Sequence, residues 1–294
     1  MAQQFTLDNP VWKREAAVGA KRLRDRLRHF PWWLAGIGLI ALWTFITIST
    51  NENFRESFLF IKAGLGVTIT TTISAFLVAM VLGLLTGLGR ISSSVVFKNL
   101  STLYVEIIRG VPMLVLIFFI AFVGVPAVTS GLQALGGALT SAGLTGVGAV
   151  LSASNNREVS MNMRAIIALS ITYGAFLAEI FRAGIESIDK GQMEAARSQG
   201  MSYAQAMRYI ILPQAIRNVL PALGNDFISI LKDSSLVSIL AVRDITQMAR
   251  LHAGTTFMFK EAYLTLAVLY LTMTILLSFV MKLTEKRMRK NGQR

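Results

Sequence analysis

Cysteine is absent from the 294 residues, and histidine occurs only as His29 and His252. No disulfide scaffold, thiol nucleophile or cysteine metal site can therefore be built. Two histidines so far apart make no zinc pair, and His252 reads as a surface residue rather than a ligand. The dipeptide Gly-Lys never occurs, which excludes a phosphate-binding P-loop. No Gly-x-Ser-x-Gly elbow is present, and the serines and carboxylates fall into no catalytic spacing. Charge is also scarce, at 15% of residues against about 25% in soluble domains. It is one-sided as well, with 29 Lys+Arg against 16 Asp+Glu and a net charge of +13. Such a balance alone would suggest nucleic acid. The chain is, however, 53% hydrophobic, its mean hydropathy is +0.56, and its charges cluster between long apolar runs. A disordered tail, a stapled secreted domain and most soluble enzymes are excluded. What is left is an all-α, polytopic transmembrane helical bundle whose charge has a topological meaning.

A bilayer core takes about 20 apolar residues as a helix. Six segments qualify: Pro31–Thr50, Val67–Leu88, Val111–Val128, Met163–Phe181, Val219–Leu240 and Ala262–Met281. No small-x-small cleavage site follows the first, since Phe45-Ile46-Thr47-Ile48 runs straight into Ser49-Thr50-Asn51, so it reads as an uncleaved span. With the N-terminus inside, the inner segments carry 21 of the 29 Lys/Arg and the outer segments carry 6, a strong positive-inside asymmetry. Both termini are then cytoplasmic. No charge occurs from Gly110 to Asn156, which is chain enough for a hidden seventh span. Such a span would invert everything downstream and place the basic segments outside, so residues 129–162 read as an external loop that can hold a short helix. The basic N-terminal tail, with Val18, Leu23 and Leu27 among its charges, reads as a solvated, orienting tail, with an interfacial helix on anionic lipid as the alternative. Trp32, Trp33 and Trp43 read as interfacial or lipid-facing aromatics.

The segment between spans four and five is not low-complexity. Met193–Gln199 favours helix, Gly200 is a natural stop, and Ser202 can cap a second helix, Tyr203–Leu212, with Pro213 punctuating its end. Two short helices joined at a glycine form a stiff cytoplasmic knob. Within it, Ala195 and Ala196 permit close approach of a partner.

The spacing Glu194-Ala195-Ala196, three residues, Gly200, nine residues, Ile210-x-Leu212-Pro213 resembles the EAA loop in membrane subunits of bacterial ATP-binding-cassette importers. Three further elements resemble the polar amino-acid uptake permeases within that group: Arg109-Gly110-Val111-Pro112, Glu179-Ile180-Phe181-Arg182-Ala183-Gly184-Ile185 followed by Gly191-Gln192, and Leu231-Lys232-Asp233-Ser234-Ser235-Leu236. The resemblance runs from about Lys62 to Met281. It implies a type I importer permease in the bacterial inner membrane, with Glu194, Ala195, Ala196, Gly200, Ile210, Leu212 and Pro213 coupling to a separate ATPase. The expected partners are cytoplasmic ATPase subunits, an extracytoplasmic amino-acid-binding protein, a second permease subunit (identical or sister), membrane lipid and a polar amino-acid substrate; nucleic acid is not one. No cofactor is expected in this chain, ATP and Mg belonging to the ATPase. By this reading residues 1–61 are a basic tail plus an extra N-terminal anchor, 62–286 the permease domain with its coupling loop at 190–213, and 287–294 a basic cytoplasmic tail. The Gly/Ala-rich external loop is longer than in compact relatives.

Ionisable residues inside a membrane usually face a bundle interior or a water-filled route. Span five holds Asn225, Asp226, Ser229, Lys232 and Asp233, placed by helical spacing along neighbouring faces. The substrate pathway is one use of this stripe, with Asp226 toward an amino group. For Lys232 and Asp233 a structural Lys–Asp contact is the favoured one. Glu179, three residues before Arg182, can pair with it on one helix. Arg109, Glu179 and Arg182 read as gate or structural residues. Thr68, Thr70, Thr71, Thr72 and Ser74 read as packing hydroxyls bonded to their own backbone, and Gly83 and Gly87 as close helix contacts. A six-span secondary transporter or channel is the alternative, but it would need coupling-ion sites or an internal repeat, and none is evident. A membrane-embedded enzyme is disfavoured by the missing constellations.

Overall fold

The computed structural model describes residues 32–291, with the side chains of 36–284. The basic N-terminal tail, Trp32 and Trp33 as side chains, and the end of the C-terminal tail lie outside the described residues. The chain divides into two compact units at the Glu52–Asn53 junction. In the first, α1 (Trp32–Thr50) is apolar throughout. Its few polar residues return their hydroxyls to the helix: Thr44, Thr47, Ser49 and Thr50 donate to the carbonyls four residues back. This is how a hydroxyl is carried at low cost in an apolar environment.

The second unit is all helix among its described residues. A stretch from α2 (Glu52–Ile61) continues through a tight turn at Lys62–Gly64 into α3 (Leu65–Arg90). Then come α4 (Val95–Gly110), α5 (Met113–Phe119), a π-turn at Ile120–Gly124 and α6 (Val125–Ser141), the last three forming one unbroken helix. Next are α7 (Thr145–Ser152), α8 (Met161–Glu186), α9 (Lys190–Ser198), α10 (Tyr203–Ala206), a π-turn at Met207–Ile211, α11 (Leu212–Asp233), a 3-10 segment at Ser234–Leu240, α12 (Ile245–Thr256) and α13 (Phe259–Asn291). Among the described residues, four stretches are long and apolar enough to cross a membrane: Glu52–Arg90, Met113–Ser141, Met161–Glu186 and Phe259–Thr284. The segment expected as span five, Val219–Leu240, falls on α11 and the 3-10 segment after it, and it carries Asp226, Lys232 and Asp233.

α8 is the central and most buried of the four. It packs against α3 through small residues, with Ala75 and Ala79 facing Ala168, Ala175 and Ala178 in one core. A Cβ at Gly83 would lie 2.6 Å from the Leu177 Cβ, and one at Gly87 2.9 Å from the Ala178 carbonyl oxygen. Small residues let helix backbones approach this closely where lipid gives no hydrophobic drive for association. Polar groups tie the contact further. Tyr104 Oη donates to the Ile171 carbonyl at 2.5 Å, and Thr71 Oγ1 donates to Asn162 Oδ1 at 2.7 Å. Thr68, Thr70 and Thr72 bond their own backbone as expected; Thr71 donates across to α8, and Thr68 also accepts from Ile245 N at 3.1 Å. Arg164 is buried on α8 without a carboxylate. It donates instead to the carbonyls of Val159, Ala121 and Asn156 and to Asn156 Oδ1.

Three expectations are corrected. Residues 129–162 are mostly helical: α6 runs to Ser141 and folds back through Gly143 into α7. Gly, Ala, Ser and Thr read as loop in a soluble chain, but they also suit close helix pairs. α7 has 8 residues, about 12 Å of helix, far short of a 30 Å hydrocarbon core, so no seventh span arises there. The helix α12 is capped by Asp244, whose Oδ1 accepts from Gln247 N at 2.8 Å. His252 on α12 is not a surface residue: it is 2% exposed, its Nε2 lies 2.9 Å from Ser57 Oγ, and its ring packs near Phe60. Finally, Pro213 does not end a helix. Two of the three prolines within helices, Pro126 and Pro213, have a π-turn immediately upstream, whereas Pro221 sits inside α11 without one. Proline removes one N–H and crowds the carbonyl four residues back; the wider turn takes up both defects. At the first of them the Ala121 carbonyl accepts from Arg164.

Candidate functional site: a capped helical knob and a polar helix face

The chain leaves α8 at Glu186, and Asp189 opens α9 by accepting from Gly191 N at 2.7 Å. α9 closes in a Schellman arrangement, with Gly200 N donating to the Arg197 carbonyl and Met201 N to the Ala196 carbonyl. Gly200 sits at φ +85, while a Cβ there would meet nothing within 4 Å. Its requirement is therefore conformational rather than spatial. Ser202 then starts α10 with a reciprocal capping box: its Oγ accepts from Gln205 N, and Gln205 Oε1 accepts from Ser202 N. Stop, turn and start are each fixed by backbone hydrogen bonds within six residues.

The motif residues divide by direction. Ile210 and Leu212 face the body, packed with Met207, Ile211 and Ala215 against Ile185, Leu88 and Ile91. Ala196 is buried inside the knob, so its small size serves the knob's own interior. Glu194, Ala195, Gly200 and Pro213 are exposed. Beside them lie residues that motif spacing does not reveal: Tyr203 and Tyr209 are both more than half exposed, and the Arg208 guanidinium lies 5.6 Å from the Tyr209 ring. Aromatic and arginine side chains standing free on a rigid base are the composition of an interface core rather than of a solvated surface.

At the root of the knob, Glu179 gathers two arginines. It pairs with Arg182 on its own helix, and Arg90 Nη1 from the end of α3 donates to its Oε2 at 2.5 Å. Arg182 also pairs with Glu186. Sequence spacing points to the Glu179–Arg182 pair; Arg90 reaches it only through the α3–α8 contact. Arg109 lies 5.7 Å over the Phe176 ring.

The polar residues of α11 separate. Asp233 accepts from Tyr173 Oη at 2.6 Å. Asp226, two turns earlier, is half-buried within electrostatic range of both Asp233 and Tyr173. Ser229 is half-buried, and Asn225 and Lys232 are exposed. The expected Lys232–Asp233 contact is replaced by Tyr173–Asp233, because adjacent positions on a helix point about 100° apart. Phe76 and Phe227 pack at 4.7 Å beside Asp226. No group of three or more His, Asp or Glu residues suited to a metal occurs among the described residues.

A small-residue helical bundle around α8 with a double-capped helical knob at one end is the architecture of a membrane permease subunit. Residues 79–290 match the family described as binding-protein-dependent transport system inner membrane component, and the chain belongs to that family of importer permease subunits. It is 38% identical over 224 residues to the probable glutamine ABC transporter permease protein GlnM of Bacillus subtilis, covering 76% of this chain and 91% of the relative. It is 30% identical over 226 residues to the glutamine transport system permease protein GlnP of Escherichia coli K12, covering 77% and 91%. Among solved structures, a chain from the crystal structure of an amino acid ABC transporter with histidines aligns with a TM-score of 0.62 at 36% identity, covering 78% of this chain and 94% of that one. An inward-facing form of the MetNI methionine ABC transporter shares the fold, with a TM-score of 0.59 at 18% identity.

Proposed function

We propose that this permease subunit moves a polar amino acid across the bacterial inner membrane, and that an ATPase drives it through the Glu194–Pro213 knob. The observation that carries this reading is the knob itself: a locally stiff pair of helices, rooted in the bundle by Ile210 and Leu212, that presents Glu194, Ala195, Tyr203 and Tyr209 on its exposed side. ATP-driven closure of two ATPase subunits would draw two such knobs together, one from this chain and one from a second permease subunit, and reopening would reset them. The polar amino-acid substrate is supported by the names of the relatives, which are amino-acid permeases, and by the α11 face. Tyr173 holds Asp233, which leaves Asp226 with Asn225 and Ser229 to meet a substrate amino group. Arg109, Glu179 and Arg182 brace the inner ends of the helices beside this route. An extracytoplasmic binding protein delivers the substrate, and ATP and Mg sit on the ATPase. The positive-inside asymmetry supports cytoplasmic termini. Residues 1–61 then add a tail and an anchor ahead of the permease domain at 62–286, and residues 287–294 form the closing basic tail.

The test is uptake into proteoliposomes holding the complex, with binding protein added, against a panel of amino acids. The expected result is ATP-dependent accumulation of one or a few polar amino acids, impaired by Asp226→Asn. Accumulation that needs neither ATP nor the ATPase, or no amino-acid uptake at all, would overturn the assignment.

A further inference from the structure

The helices α8 and α11 run covalently into the knob, one from each side, whereas α4 has no such link. It is set between two breaks. Residues 91–94 part it from α3, and Val111 and Pro112, both extended, part it from α5. A helix with a break at each end can swing as a unit, because a few element-terminal residues absorb the change in φ and ψ. It also reaches the middle of α8: Tyr104 Oη donates to the Ile171 carbonyl at 2.5 Å, and Arg109 lies over the Phe176 ring.

One line of side chains joins the knob to this helix, and its charges alternate. Glu186, three residues before the Asp189 cap, pairs with Arg182, and Arg182 pairs with Glu179. Glu179 accepts from Arg90 Nη1 at 2.5 Å, and Arg90 Nη2 lies 4.0 Å from Glu106 on α4. Arg90 is the enclosed middle of the line, its side chain 15% exposed against 71% for Glu106 and 52% for Glu186 at the two ends. Its planar fork can hold two carboxylates at once, which the single ammonium of a lysine does less well. Stability alone does not call for it. Gly83 and Gly87 already bring α3 onto α8 with no room for a Cβ. A part-buried ion pair is, moreover, often no more stable than apolar side chains of the same volume. What this one adds is a set geometry among α3, α4 and α8.

With the knob read as the place where an ATPase works, we propose that Arg90 is a positioning residue for coupling. Held by Glu179 and reaching Glu106, it passes displacement of the knob to α4, and so to the break at Val111 and Pro112. It acts through those two carboxylates and meets neither substrate nor ATPase. Ion-pair networks between rigid elements carry coupling of this kind, and a double-mutant cycle measures it.

The test measures uptake and ATP hydrolysis on the same proteoliposomes, which hold the full complex with binding protein and the amino acid that the panel selects. Arg90→Gln is expected to leave most of the hydrolysis while uptake per ATP falls severalfold. Arg90→Lys, which keeps the charge without the fork, should recover part of that ratio. Glu106→Gln, at the exposed end of the line where folding is not at stake, should lower the ratio by less. The double variant should lose no more than Arg90→Gln alone, because the two residues act on one contact. Uptake and hydrolysis falling in proportion, an unchanged ratio, or fully additive losses would overturn the proposal and leave Arg90 a structural brace. If Arg90→Gln fails to assemble, Glu106→Gln decides alone: a lowered ratio supports the coupling role and an unchanged one overturns it. Wild-type uptake that needs no ATP would instead overturn the reading of the knob, and this assignment with it.

Discussion

The molecule carries two helical hairpins, one at each end of α8, and they are built from different side chains. The knob of α9 and α10 is charged, closed by a Schellman turn and a capping box, and shows tyrosines and an arginine on its free side. The hairpin of α6 and α7 is uncharged, joined through Gly143 at φ +89, and held by glycine contacts, with Thr140 and Ser141 bonded to the carbonyls of their own helix. Each has a positive-φ glycine at or near its turn, so shape alone does not separate them. What separates them is the exposed surface: charged and aromatic groups on the knob, aliphatic groups on the hairpin.

The largest effect that could break this contrast comes from the two turns. Gly200→Pro should abolish ATP-dependent uptake while the protein still reaches the membrane, because proline holds φ near −65° against the native +85 and removes the N–H that reaches Arg197. Gly143→Pro should leave uptake per folded molecule largely intact, and equal losses from both would erase the distinction. A step smaller, Gly136→Leu should force α6 and α7 apart and cost about 1–3 kcal/mol by overpacking, read as a lower Tm in detergent. Glu179→Gln should cost about 2 kcal/mol, since Arg90 and Arg182 lose a charged hydrogen-bond partner at the root of the knob; an unchanged Tm would show the cluster to be solvent-screened. Ser202→Ala should cost about 1 kcal/mol through loss of the cap and lower uptake only partly. The smallest effect is a reference outside both hairpins. Burial pushes the Asp244 carboxyl from 3.8 up to about 6. Its contribution to stability is then full below the unfolded value and is lost as pH rises through the folded one. Asp244→Asn should flatten the dependence of Tm on pH between about 4 and 7, and an unaltered profile would assign that dependence elsewhere.

The same division governs what the sequence makes legible. The knob is readable because its determinants are local: Gly200, Ser202 and Gln205 act on backbone groups within a few positions. Spans two to four and the last are readable from uninterrupted apolar length. The hairpin helices are not, because Gly136, Gly137, Gly146 and Gly148 carry loop propensity in water and packing value against another helix, and composition cannot tell which environment applies. The prolines mislead for a related reason, since a π-turn is invisible to residue preference. Arg90 at Glu179, Tyr173 at Asp233 and Ser57 at His252 each join positions at least 60 residues apart. Such pairs exist only once the helices have packed. Tyr203 and Tyr209 could have been found by asking which aromatics fall in the charged segment between spans four and five.

The central claim is that the knob is where another protein delivers its work. Its most direct measurement is cross-linking from Ala195→Cys in the assembled complex, using a short thiol-to-lysine reagent. The expected product joins this chain to the ATPase subunit, forms in a nucleotide-dependent amount, and blocks uptake in proportion to its yield. Complete transport by the cross-linked complex, or no ATPase adduct from a complex that transports, would contradict it.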